Sequence, residues 1–121
     1  MMYFTQFQKN KPVCKTEPVN LVEEHFIHIS MCKCCKRIGL HYTNLLCSFR
    51  ILGFKSFASS IIRTNFNYNA VYFPDQTNRI IISTCHQDIQ FCFTEPEFYD
   101  FQHAMNEALL MLEVHIAIQE P

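Results

Sequence analysis

The alternation of apolar and polar residues predicts most of the β-strands in this chain. Successive side chains of a strand point to opposite faces, so a strand with one buried face is apolar at every second position. The pattern occurs at residues 25–30, 38–42, 45–49 and 89–93, and residues 70–73 are predicted to form a further short strand. Arg79–Thr84 contains three consecutive isoleucines and predicts a strand that is buried on both faces.

Apolar residues at helical spacing predict two helices. The first covers about Gly53–Arg63. The second follows Thr94-Glu95-Pro96-Glu97, a capping box in which the Thr94 hydroxyl accepts from the Glu97 N–H and the Glu97 carboxylate reaches back to Thr94. Its apolar stripe contains Phe98, Phe101, Met105, Ala108, Leu109, Leu112 and Ile116. We expect helix through about Val114, and the alternating apolar residues from there to Ile118 leave a terminal strand open as the alternative.

This combination of hairpin and helix occurs twice in the chain. Phe49-x4-Phe54-x2-Phe57 recurs at one constant offset as Phe93-x4-Phe98-x2-Phe101, which defines ββα units over about residues 25–64 and 70–118. The predicted fold is therefore α+β, an antiparallel sheet with two helices on one face. Residues 1–20 have little periodicity and are predicted to form an N-terminal arm, and 21–121 a single domain.

Composition fits a folded domain. Of the 121 residues, 49% are hydrophobic and 17% are charged, which is sufficient for a core without disulfides or metals. No segment reaches the roughly 18 apolar residues of a membrane span, and the N-terminus lacks the apolar segment of a secretory signal. The 7 cysteines are odd in number and clustered, unlike a disulfide framework, so we predict a cytoplasmic location.

Residues capable of chemistry concentrate in the turn Cys32-Lys33-Cys34-Cys35, between two predicted strands. Two thiolates in a Cys-x2-Cys turn can bind one tetrahedral zinc ion at about 2.3 Å each. Basic neighbours in the turn would lower the thiol pKa values. The candidate metal ligands are Cys32, Cys35, Cys34 and His28. Further donors that could complete the site are His41, Cys47, Cys85 and His86, whereas Cys14 is predicted to be an ordinary thiol.

Two other interpretations of this turn stay open. The cysteines could serve as small apolar residues that only fill space. A thiol redox site is disfavoured, because the thioredoxin-type Cys-x2-Cys begins a helix. Cys85-His86 does not predict a nucleophile, because adjacent residues in a turn rarely point at one another. We therefore expect a non-enzymatic binding or regulatory module with no catalytic residues.

The distribution of charge bears on partners. Residues 1–63 contain nine Lys and Arg against three acidic residues, whereas residues 64–121 contain one Arg against eight acidic residues. The alternative function is therefore nucleic-acid binding through Lys33, Lys36, Arg37, Arg50 and Lys55. Oppositely charged halves that pack together are the simpler interpretation, and no motif that reads bases is present. Apolar residues opposite the stripe of the last helix, Leu110, Met111, Val114 and Ile118, predict a homodimer contact.

The sequence also resembles a family of small bacterial proteins of unknown function, found mainly in Bacteroidetes. The resemblance lies in Cys32-x2-Cys35, followed by Ile38-x-Leu40-x-Tyr42, Asn44 and a Phe-x2-Phe that opens a helix. It covers roughly residues 25–116, and Cys34 is an addition to the pattern. It implies no activity.

Overall fold

The computed structural model describes Cys14, residues 17–84 and residues 86–119. Strands and helices of this part of the chain follow one another as β1 (Val19–Glu23), β2 (Ile27–Met31), β3 (Ile38–Tyr42), β4 (Leu45–Phe49), α1 (Ile51–Arg63), α2 (Phe66–Asn69), β5 (Val71–Tyr72), β6 (Asn78–Ser83), β7 (Gln90–Thr94) and α3 (Glu95–Gln119). The predicted α+β class is confirmed. None of the helices in these ranges combines the length and apolar composition needed to cross a bilayer.

The strands form two antiparallel sheets, with orders β1-β2-β3-β4 and β5-β6-β7, rather than the single sheet expected. Every ladder joins strands that are consecutive in the chain, and α1 and α2 separate the two meanders. α1 packs against β4 and α3, whereas α3 packs against strands of both sheets. The long helix therefore connects the two halves of the fold.

The predicted repeat is present in the order of the elements. In each half a hairpin ends directly before a helix, β4 before α1 and β7 before α3. Five of the six matched phenylalanines are buried in the core, with Phe54 and Phe98 fully buried, and Phe57 packs against the core half-buried. The division into arm and domain stays a prediction, because the structure leaves 1–13, 15 and 16 undescribed. Val19 and Asn20, which the sequence assigned to the arm, belong to β1.

The burial of β6 differs from its prediction. The strand alternates instead of being buried on both faces, with Ile80 and Ile82 buried and Ile81 43% exposed. Between the two meanders, the Asn65 side chain accepts from the Tyr68 N–H and caps the helical turn α2.

The core is aromatic where the two sheets meet. The ring of Tyr42, at the end of β3, makes edge-to-face contacts with Phe93 and Phe101 at centroid distances of 5.2 and 5.8 Å. Phe93 and Phe101 in turn lie 4.7 Å apart. Such contacts add to the free energy of burial. One ring cluster thus joins the first sheet, the second sheet and α3.

α1 and α3 run antiparallel. At the C-terminal end of α1, the Gln102 side-chain amide donates to the carbonyl oxygens of Ile61, Ile62 and Thr64 and so supplies a donor to the last turn of the helix. Towards the other end, Lys55 Nζ lies 3.1 Å from Glu113 Oε1. α3 continues to Gln119, so the segment that the sequence left open is helix.

Candidate metal centre

The β1–β2 hairpin brings two distant segments of the chain together. Val19 at the start of β1 pairs with Met31 at the end of β2. The start of β1 therefore lies beside the turn that follows β2, which contains Cys32–Cys35 and is named the cysteine knuckle. Through this register Cys14, which is half-buried, reaches that turn.

The knuckle turn is held by its own backbone. The Cys32 N–H donates to the Arg37 carbonyl, and the Lys36 N–H donates to the Cys32 carbonyl, both at 2.9 Å. Lys36 has φ 63°, in the left-handed region. The Cys35 N–H points at Cys32 Sγ at 3.5 Å. The turn thus directs a backbone N–H at Cys32 Sγ, a contact that stabilises a metal-bound thiolate.

Three sulfur atoms meet at this turn. The Sγ atoms of Cys14, Cys32 and Cys35 all lie within 4.8 Å of one another. Two thiolates bound to the same tetrahedral zinc ion at about 2.3 Å are about 3.8 Å apart, so the cluster needs only small adjustments to bind a metal. Among the described residues, no other group of three or more Cys, His, Asp and Glu has this proximity. This cluster could hold a metal ion.

The sulfur atoms of the cluster differ in their electrostatics. Burial acts to raise the pKa of Cys32, but hydrogen bonds from the Cys35 N–H and thiol, the Cys14 thiol and the Cys34 N–H outweigh it, so the pKa lies below its ordinary value. Hydrogen bonds with the thiols of Cys32 and Cys34, followed by burial, raise the pKa of Cys14 to about 12. Of these two cysteines, Cys32 therefore ionises more readily, and a metal must displace the Cys14 proton.

The predicted ligands are not all in one place. Cys32 and Cys35 belong to the sulfur cluster. Cys34 is exposed and its thiol is hydrogen-bonded with that of Cys14, but it is not within the cluster distance of all three sulfurs. His28 lies four residues before Cys32, about 13 Å away along an extended strand, and its Nε2 is 2.8 Å from Asn20 Oδ1. The structure therefore places His28 at the opposite end of β2 from the sulfur cluster.

The further candidate donors also lie elsewhere. His41 pairs with His28 in the β2–β3 ladder, at the same distant end of the sheet. Cys47 is buried in β4, opposite Leu40. His86 precedes β7 of the second sheet, where its Nδ1 accepts from the Asp88 N–H at 3.3 Å. Cys85 lies outside the described residues.

Cys14 is the site residue that the sequence interpretation missed. It was assigned to the arm because nothing periodic surrounds it. The available signal was the hairpin: with β1 recognised and paired to β2, Cys14 falls beside Cys32. The contact is set by strand register and not by spacing along the chain.

Two of the basic residues of the nucleic-acid alternative have partners within the fold. Lys55 forms the ion pair with Glu113, and Arg37 Nε donates to Ser48 Oγ at 3.0 Å. Lys33, Lys36 and Arg50 are exposed. Nucleic-acid binding stays a prediction.

Comparison with known families identifies the family of the chain but no activity. The model of a family of unknown function, DUF6686, matches residues 14–116. The chain belongs to this family. The match begins at Cys14 and so includes the entire sulfur cluster of this DUF6686 protein. No curated protein matches the chain, and neither does any solved structure.

Proposed function

We propose that this DUF6686 protein is a non-enzymatic binding or regulatory module whose fold is completed by one zinc ion at Cys14, Cys32 and Cys35. The observation that carries the proposal is the convergence of the three Sγ atoms within 4.8 Å, across two chain segments. Packing does not require such a convergence, because Cys14 and Cys35 are not buried.

Zinc is the ion that these donors favour. Thiolates select soft or borderline ions, and zinc binds them tetrahedrally in structural sites. Each bound thiolate adds negative charge, which Lys33, Lys36 and Arg37 offset in the same turn. The backbone N–H groups of the knuckle stabilise the Cys32 thiolate before an ion arrives.

The ion would stabilise the position of β1 in the fold. Leu21 and Val22 of this strand are buried, and β1 packs against α3. A metal bridge from Cys14 to the knuckle fixes the chain just before β1 to the end of β2. Because the ion binds the folded chain, its binding free energy adds to folding stability. We expect β1 to be the element that loses most protection when the metal is removed.

Elemental analysis tests this proposal. Protein purified without chelator or an affinity metal should contain about one zinc per chain. Cys14→Ser and Cys32→Ser should each lose the ion, whereas Cys92→Ser should retain it, because Cys92 is an exposed cysteine in β7 outside the cluster. Absence of metal from the unmodified chain, or equal retention in all three variants, would reject the zinc site. About half a zinc per chain would mean that two chains share each ion.

A further inference from the structure

We propose that Cys34 is the fourth ligand, so that a single chain supplies a complete four-cysteine site. The assignment rests on the proposed zinc function, and it identifies the donor that closes the coordination shell. Structural zinc is almost always bound by four protein ligands, and the cluster of three sulfurs provides three of them.

Cys34 lies in the same turn as two of the cluster sulfurs, between Cys32 and Cys35 in sequence. A hydrogen bond with its thiol is among the interactions that raise the pKa of Cys14. The side chain is exposed, so core packing does not fix its rotamer. Changing χ1 from one staggered rotamer to the next moves a cysteine Sγ by about 3 Å. A movement of this size is enough to exchange a hydrogen bond with Cys14 for a bond to a shared ion.

Charge supports a four-thiolate site in this turn. Zinc with four thiolates carries a formal charge of roughly −2, against roughly −1 with three. The turn contains three basic residues, Lys33, Lys36 and Arg37, each within two residues of a cysteine in sequence. Opposite charges at short range favour the thiolate forms, so the additional negative charge is compensated locally.

Cobalt(II) substitution counts the sulfur ligands directly. The metal-free chain is titrated with Co(II), and the intensity of the sulfur-to-cobalt charge-transfer band is compared for the unmodified chain, Cys34→Ser and the control Cys92→Ser. We expect Cys34→Ser to lose about a quarter of this intensity and Cys92→Ser to lose none. Metal affinity alone would not distinguish a direct ligand from a residue that only contacts a ligand, because loss of an outer-shell partner also weakens binding by about 10–100-fold.

The outcomes separate the two proposals. Full charge-transfer intensity in Cys34→Ser, together with loss of cobalt in Cys32→Ser, would overturn the assignment of Cys34 and leave the zinc site standing. Failure of the unmodified chain to bind cobalt or zinc would overturn both. If Cys34→Ser does not fold, Cys34→His keeps a ligand atom at the same position. It should retain tetrahedral cobalt with one sulfur bond fewer, and an unchanged sulfur count would overturn the assignment.

Discussion

At the scale of single residues, Lys36 in the knuckle has a backbone conformation that residues with a Cβ disfavour. Lys36 has φ 63°, and the left-handed region costs an L-residue with a Cβ about 1–2 kcal/mol. Glycine avoids this cost but loses about 0.5–1 kcal/mol of backbone entropy on folding. We therefore expect Lys36→Gly to be more stable than Lys36→Ala by about 0.5–1 kcal/mol.

Lys36→Ala is the matched reference, because both variants lose the same charge and the same side-chain contacts. Urea unfolding of the metal-free chain gives the comparison, with midpoints read at equal slope. Equal midpoints for the two variants would show that the turn relaxes out of the left-handed region when the metal is absent.

At the scale of elements, the N-terminus of α3 depends on one acidic side chain. Glu97 Oε1 accepts from the Thr94 N–H at 2.8 Å and from the Thr94 hydroxyl at 3.0 Å. The predicted return of the carboxylate to Thr94 is confirmed, and the hydroxyl donates to the same oxygen. Glu97→Ala should lower the free energy of unfolding by about 1 kcal/mol, whereas Glu97→Gln, which keeps an acceptor oxygen, should lower it less.

Chemical unfolding measures both variants of Glu97. The comparison isolates the cap because Glu97 is exposed and its replacement leaves the core unchanged. If Glu97→Ala proved as stable as the unmodified chain, packing of α3 against both sheets would fix the helix start without the cap.

Elements with strong local signals were predictable from the sequence, and those set by distant partners were not. β3 and β4 begin and end where alternation placed them, and α3 follows its capping box. β1 was not predicted because its residues do not alternate regularly between apolar and polar, and the strand is evident only from its pairing with β2. The site divides in the same way: Cys32 and Cys35 are neighbours in one turn, whereas Cys14 reaches them through strand register.

At the scale of the whole molecule, the antiparallel packing of α1 and α3 leaves an apolar surface on the outside. Leu110, Val114 and Ile118 of α3 are 61%, 47% and 72% exposed, and they are spaced by one helical turn. Leu52, near the start of α1, is 79% exposed. The Lys55–Glu113 ion pair places the start of α1 beside the C-terminal part of α3. Large exposed apolar patches commonly mark interaction sites.

We propose that this surface pairs with its copy in a second chain, with α3 of one protomer against α3 of the other. A twofold contact places the same stripe on both sides, so a single substitution introduces a charge into both halves of the contact. Leu110→Glu should therefore convert a dimer to a monomer, whereas Tyr68→Glu, at an 89% exposed site on α2, should leave the dimer intact. Light scattering at high micromolar concentration measures the mass of each chain. A monomeric mass for the unmodified protein would exclude the pairing, and dissociation by both substitutions would mean that added charge, rather than loss of this contact, separates the chains.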